Sequence, residues 1–260
     1  MGQQPVRYGA KRDTGRNREI EATSIPTWSK TLNAIYETDR DVVAAVLPPP
    51  LSPAAEPLVR ATFATVEMDG RPPFGAGYFA VRARHEGREG EYPLVMPMTT
   101  EQAVIGGRET FGEPKKLGEV TLVRTGDDVV GRMTRMGVTF VEVSGRVVER
   151  LAVPPERTKT DFYFKFLLSP DGKGFDSEPA LVYCYKTEQV RVLERVDGSV
   201  TLRESPFDPV VDLPVRRLVE ITYAERASQQ RGEIVSRVPS EWLLPYVHQR
   251  YDDLSPLGTR

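Results

Sequence analysis

EVTLVRTGDDVVGRMTRMGVTFVEVSGRVVERL, residues 119–151, decides the fold class. Apolar and polar residues alternate through it at the period that puts one side of a strand on a core and the other toward water. Gly126-Asp127-Asp128 and Met136-Gly137 read as hairpin turns, so the stretch divides into three short strands. The same grammar runs outward in both directions. Upstream lie PLVRATFATVEM, a turn at DGRPPFG, and AGYFAVRARHEGREGEYPLVMPM. Downstream lie FYFKFLLSPDG, ALVYCYKTEQVRVLERVDGSVTLRES and VRRLVEITYAERASQQRGEIVSRV. Strands spaced this closely, with few helical stretches between them, predict a mostly antiparallel β architecture.

Helices are peripheral in this reading. TLNAIYETD reads as a strand and DRDVVAAVLPPPL as a short amphipathic helix, capped by Asp39 or Asp41 and stopped by the prolines at 48–50. SEWLLPYVHQRYDDL closes the chain as a helix with Ser240 at its cap, interrupted by Pro245. Residues 1–24 are polar, lack periodicity and read as a flexible tail. No Gly/Ser linker or internal repeat divides the remainder. The expectation is a single α+β domain over residues 25–260, built on an antiparallel sheet or β-barrel.

Composition narrows the function classes. The chain has 260 residues, 28% of them charged and 39% apolar, with a net charge of -2. These are the values of an ordinary globular protein, and no basic stripe or motif points to nucleic acid. No run approaches the roughly 18 apolar residues of a membrane span. The N-terminal residues are positively charged without an apolar segment, so they do not read as a secretory leader, and the expected location is cytoplasmic. One cysteine, Cys184, and two histidines, His85 and His248, leave no metal cluster to assemble. Both histidines read as surface residues and Cys184 as a buried small hydrophobe.

The unusual chemistry lies in GGRETFGEPKKLGEV, residues 106–120, where Lys115 and Lys116 adjoin after Glu113-Pro114. A free lysine is well under about 1% neutral amine at pH 7. Burial and a nearby positive charge both disfavour the ammonium, and a lysine so activated attacks a ketone to form an iminium. The iminium draws electrons from an adjacent bond, which permits decarboxylation, retro-aldol cleavage or α-proton abstraction. Two readings fit the spacing: a solvated basic turn, or such a nucleophile. Neighbours on a strand face opposite sides, so Lys116 need not share a pocket with Lys115. Glu113, two residues away, either shuttles a proton for Lys115 or pairs with it. Arg108 either clamps a substrate carboxylate or forms a structural ion pair. Met96 and Met98 share a face, as an adaptable wall or as core.

GRETFGEPKKLGEV resembles the signature of the acetoacetate decarboxylase family, in which a Gly-Arg-Glu element precedes Pro-Lys-Lys-Leu. LNAIYETDRDVVAAVLPPPL, EPLVR, the GEY at 90–92 and SPFDPVVDLPVRRLVE match it in order and approximate spacing, so the resemblance spans about residues 28–225. It implies a β-barrel within a larger α+β domain, Lys115 as the Schiff-base lysine and Lys116 as the cation that activates it. Activation of a lysine by a cationic neighbour is documented for acetoacetate decarboxylase itself. The resemblance also implies a small keto acid substrate, no metal or organic cofactor, and a homo-oligomer.

The pattern also departs from the family. Ser29 and Lys30 stand near an expected first-strand arginine. Ala61, Thr62, Ala76 and Tyr78 stand where two glutamates are expected, and Glu67 lies off register. Glu113 is the candidate replacement carboxylate. The leading expectation is a carbon–carbon lyase that decarboxylates a β-keto acid such as acetoacetate through Lys115, with Lys116 and Glu113 assisting. Arg108, Tyr78, Met96 and Met98 are the candidate substrate contacts. The alternatives are an aldolase-dehydratase acting on pyruvate-like keto acids, with Tyr78 or Glu113 moving protons, and an inactive binding protein.

Overall fold

The computed structural model describes residues 8–9, 27–68 and 71–252. The expected tail lies almost wholly outside them. Residues 119–151 form three consecutive strands, β7 Glu119–Thr125, β8 Asp128–Arg135 and β9 Val138–Arg150. Met136 and Gly137 have φ of 48° and 79°, the positive pair that a two-residue hairpin turn requires.

Among the described residues, nine further strands precede and follow. They are β1 Thr27–Glu37, β2 Ser52–Pro53, β3 Leu58–Met68, β4 Arg71–His85, β5 Arg88–Met98 and β6 Lys115–Leu117, then β10 Arg157–Lys165, β11 Ala180–Leu202 and β12 Arg217–Arg237. All twelve belong to one sheet: ten follow the order β10-β5-β4-β3-β1-β12-β11-β9-β8-β7, β2 pairs with β4 and β6 with β5 off this path, and β10 also pairs with β11. The sheet thus folds back on itself through β10. Most pairings are antiparallel, but β5 pairs in parallel with β6 and with β10, so the sheet is mixed.

The fold gives this sheet two faces. On the outer face Leu32, Ala34 and Tyr36 of β1, Val59, Ala61 and Phe63 of β3, and Phe79 and Val81 of β4 are buried. They pack against Val129, Met133, Phe140 and Val141 from the β8–β9 hairpin in one large core. Each such large side chain contributes about 1.5–3 kcal/mol by leaving water. The alternate residues, including Thr31, Asn33, Arg60, Thr62 and Tyr78, point to the enclosed face and line a cavity.

Among the described residues, four short helices border the sheet: α1 Arg40–Val46, α2 Glu101–Phe111, α3 Ser240–Leu243 and α4 Val247–Arg250. Among the described residues, no helix is long and apolar enough to cross a membrane. Asp39 occupies the cap position of α1 without capping it, because its carboxylate pairs with Arg216. The expected C-terminal helix breaks into α3, a 3-10 turn holding Pro245, and α4. Ser240 is its first residue rather than its cap.

Two expectations are corrected. DGRPPFG is not all turn: β4 begins at Arg71, and Phe74 and Gly75 pair with Val66 and Thr65 of β3. A register shift between Val66 and Met68 absorbs the irregularity beside Pro72 and Pro73. His85 is not a surface residue. It is buried at the end of β4, with Nδ1 2.6 Å from the Tyr183 hydroxyl.

A β-carbon built on Gly131 of β8 would lie 2.5 Å from the Phe63 ring, so the hairpin seats on β3 only because that side chain is missing. Gly131→Ala is expected to destabilise the chain by about 1–3 kcal/mol, read from the urea midpoint at unchanged m-value.

Candidate active site

Helix α2 sets the geometry of the motif. Thr100 precedes it with extended backbone, and Glu101 in the first turn suits the positive end of its dipole. Gly112 ends it at φ 83°, a conformation that favours glycine, and its N–H donates to the Arg108 carbonyl. The Glu113 N–H reaches back to the Gly107 carbonyl, which turns Glu113 under the helix. Pro114 follows, and the Lys115 N–H donates to the Glu113 carbonyl at 2.8 Å in a tight turn. The chain then enters β6, where Lys115, Lys116 and Leu117 pair with Met96, Pro97 and Met98 of β5.

Alternation on β6 separates the two lysines. Lys115 shares the face of Met96, whose side chain lines the cavity. Its Nζ lies 2.7 Å from Oε2 of Glu113, which is 1% exposed. The approach lies off the angles of a formed hydrogen bond, so the contact is an ion pair. A β-carbon on Gly107 would overlap the Glu113 carboxylate and lie 2.6 Å from Lys115 Nζ. The second glycine of Gly106-Gly107 is therefore the space in which the pair sits.

Lys116 lies on the other side. Its Nζ is 2.8 Å from Asp252, which also binds Arg135 at 2.8 Å, and Arg135 reaches Asp208 at 2.7 Å. Burial lowers the Lys116 pKa, and its neighbour Arg135 acts in the same direction against the two carboxylates. Its charge is thus met by Asp252, away from Lys115. Arg108 also differs from both expected roles. Its guanidinium donates to the carbonyls of Lys115 and Arg250, each at 3.0 Å, and lies 5.1 Å from the centre of the Tyr251 ring.

Tyr78, Met96 and Met98 line a cavity of about 190 Å³ on the enclosed face, room for roughly a dozen waters. Sequence reasoning missed its charged residues. Arg60 is 2.6 Å from Glu91, and the Tyr78 hydroxyl donates to Glu91 at 3.0 Å. Lys186 is 2.5 Å from Asp161, which also accepts from the Tyr163 hydroxyl at 2.8 Å. Lys159 lies 2.8 Å and Arg226 3.5 Å from Glu188. The only available signal was charge at alternate positions of otherwise apolar strands, as in Lys159-Thr160-Asp161 and Lys186-Thr187-Glu188.

The departures at the expected arginine and glutamate positions take structural form here. Ser29, Thr62, Ala76 and Tyr78 do line the cavity, but Ala61 turns into the outer core. Glu67 pairs with Lys30 at 3.3 Å on the surface.

The pocket's electrostatics are uneven. Burial pushes the Asp161 carboxyl up despite Lys186. For Glu91 burial acts upward but is outweighed by Arg60 and Lys159, and its pKa falls. Burial also holds the Tyr78 and Tyr163 phenols protonated, well above their usual range. The charge of Glu113 acts on Tyr163, Cys184 and Lys186, which connects the Lys115 end to the cavity.

The acetoacetate decarboxylase family model matches residues 11–238. The chain belongs to the acetoacetate decarboxylase family. It is 29% identical to an acetoacetate decarboxylase of Burkholderia vietnamiensis over 198 residues, covering 71% of this chain and 76% of the relative. A Clostridium botulinum acetoacetate decarboxylase is 25% identical over 198 residues, 74% and 79% of the two chains. The crystal structure of Legionella pneumophila acetoacetate decarboxylase superposes with a TM-score of 0.74 at 22% identity, over 82% of this chain and 88% of that one. The enduracididine biosynthesis enzyme MppR, complexed with pyruvate, superposes with a TM-score of 0.68 at 18% identity, over 90% and 99%. At these identities the superpositions show a shared fold. With the family shown, this chain is a decarboxylase-like lyase of the acetoacetate decarboxylase family.

Three outcomes follow. Gly107→Ala is expected to cost about 1–3 kcal/mol in urea unfolding. Gly106→Ala, whose β-carbon meets nothing within 4 Å, is expected to stabilise by about 0.5–1 kcal/mol. Burial would raise the Glu188 carboxyl, but Lys159 and Arg226 outweigh it and bring it to about 2. Its stabilisation is therefore present above about pH 4.5 and lost as pH falls toward about 2. Wild type is expected to exceed Glu188→Gln by roughly 2–4 kcal/mol at pH 6, with the gap closing toward pH 2.

Proposed function

We propose that the chain decarboxylates a β-keto acid of the acetoacetate type through an iminium on Lys115. The observation that carries this reading is the Lys115–Glu113 pair, which fills the space left by Gly107, with Lys115 on the face of β6 that it shares with the cavity-lining Met96. Glu113 accepts a proton from the ammonium, and the neutral amine attacks the ketone carbon. The same carboxyl returns the proton to the departing hydroxyl, water leaves, and the iminium forms. The bond to the substrate carboxylate then breaks with its electron pair drawn toward nitrogen, releasing CO2 and leaving an enamine. Protonation at carbon and hydrolysis release the ketone and restore Lys115.

The other residues position this chemistry. Met96, Met98 and Tyr78 wall the pocket and limit its water. Lys116 anchors β6 to Asp252 from behind, and Arg108 holds the Lys115 carbonyl to the C-terminal turn. The scheme uses side chains alone, without a metal or organic cofactor. The family and the 29% identical acetoacetate decarboxylase support the decarboxylation. A second reading, carbon–carbon bond formation on pyruvate-like acids, is favoured by the cavity's size and by the proton carriers Tyr78–Glu91 and Tyr163–Asp161. The pyruvate held by the structurally similar MppR supports it too.

Borohydride reduction during incubation with acetoacetate, and separately with pyruvate, tests both readings. Mass spectrometry is expected to map an acetoacetate adduct to Lys115, absent in Lys115→Ala, with CO2 released before reduction. Glu113→Gln is expected to lower kcat about 10²–10⁴-fold. Trapping by pyruvate alone would select the second reading, and no adduct on Lys115 with either ketone would sink the iminium mechanism.

A further inference from the structure

The cavity carries more charge than a small keto acid needs, and the charge is concentrated at one end. Arg60, Lys159, Lys186 and Arg226 face three carboxylates, Glu91, Asp161 and Glu188, so one cation is in excess. Arg60 and Lys186 each have a close carboxylate of their own. Lys159 and Arg226 instead share Glu188, with Arg157 also 3.7 Å from it. The surplus therefore lies around Arg226. Its Nε is fully buried and has no hydrogen-bond partner among the described residues, a costly state for a guanidinium N–H. Ser29 and Ser228 flank it on the cavity wall and add hydroxyls without negative charge.

This end is remote from Lys115. Lys115 pairs with Met96, which packs in one cluster with Cys184 of β11, whereas Glu188 lies four residues further along that strand, roughly 13 Å at about 3.3 Å per residue. In a β-keto acid the reacting carboxyl carbon is only two bonds from the ketone carbon. A carboxylate that leaves as CO2 beside Lys115 cannot also sit against Arg226.

We propose that Arg226 and Lys159 form a subsite for a second anionic group, so that the preferred substrate is a longer oxo acid with a carboxylate at its remote end. The subsite deepens the Lys115 reading and rests on it for the reaction, but not for binding. A carboxylate there pairs with the Arg226 guanidinium, neutralises the surplus charge and fixes which end of the molecule reaches Lys115. Thr62, Ala64 and Ala76 line the same cavity and offer a weakly polar wall for the carbons between.

The test compares eight-carbon 3-oxo acids with and without a terminal carboxylate, following CO2 release. The diacid is expected to have a kcat/KM about 10–100-fold higher, mainly through KM. That ratio should fall toward one in Arg226→Gln and recover in part in Arg226→Lys. Equal treatment of the two acids by wild type overturns the subsite and leaves the Lys115 chemistry standing. Should neither acid react or trap on Lys115, the lyase reading falls instead, and octanedioate, which has no ketone, reads the subsite by calorimetry. Binding at least about tenfold tighter than octanol's in wild type supports it, and equal binding overturns it.

Discussion

A carboxylate that is 1% exposed must be met by a cation or give up its charge, and Glu113 is in that position. The local design follows from meeting it with Lys115. Gly112 adopts a positive φ to end α2 sharply enough to fold Glu113 back under the helix, and Gly107 carries no side chain because the pair occupies that volume. Pro114 bends the backbone so that residues 113 and 115 lie together, and β5 holds the result through the Met96 N–H to the Pro114 carbonyl. The devices are spread over α2 and its end, the turn that follows and β5. The motif therefore works only in the context of the helix before it and the strand beside it.

The enclosed face imposes the same demand on a larger scale. Buried charges cost several kcal/mol each unless paired, which is why Arg60, Lys186 and Lys159 each sit within 3 Å of a carboxylate. Pairing does not make the carboxylates equal. Glu91 has Arg60, Lys159 and the Tyr78 hydroxyl, and it stays ionised. Asp161 is more penalised by burial, with the Glu91 charge acting against it as well, and its carboxyl is pushed up. Two acids in one pocket with opposite shifts are suited to different proton-transfer roles, Asp161 to holding a proton and Glu91 to retaining charge.

Much of the fold was legible because hairpins are local. The turns at Gly126-Asp127 and Met136-Gly137, and the breaks at Pro48 and Pro245, follow from backbone preferences that act over a few residues. Helix α2 was not read, because Gly106-Gly107 interrupts its apolar pattern and only the glycine at 112 marks its end. The pair Lys115–Glu113 was legible as proximity in sequence. The inner charges were not, since alternation assigns Lys186 and Glu188 to one face but cannot say whether that face is enclosed. His85 failed for the same reason: its buried partner, Tyr183, is 98 residues away.

The adjacent lysines at 115 and 116 invite an explanation by mutual repulsion, and the geometry argues for a division of labour instead. On a strand, neighbours must point apart, so two charged residues in succession place one charge on each side. On the side of Lys116 the charge closes a run of alternating signs through Asp252, Arg135 and Asp208, fastening β6 to β8 and to the segment after β11. On the side of Lys115 stands the Glu113 carboxylate, and Met96 beside it on β5 lines the cavity. The nucleophile proposed at Lys115 would stand on a three-residue strand, and an amine that drifts by an ångström would lose the attack geometry on which an iminium depends. Under the proposed mechanism Lys116 holds the backbone of Lys115 still through its ion pair with Asp252.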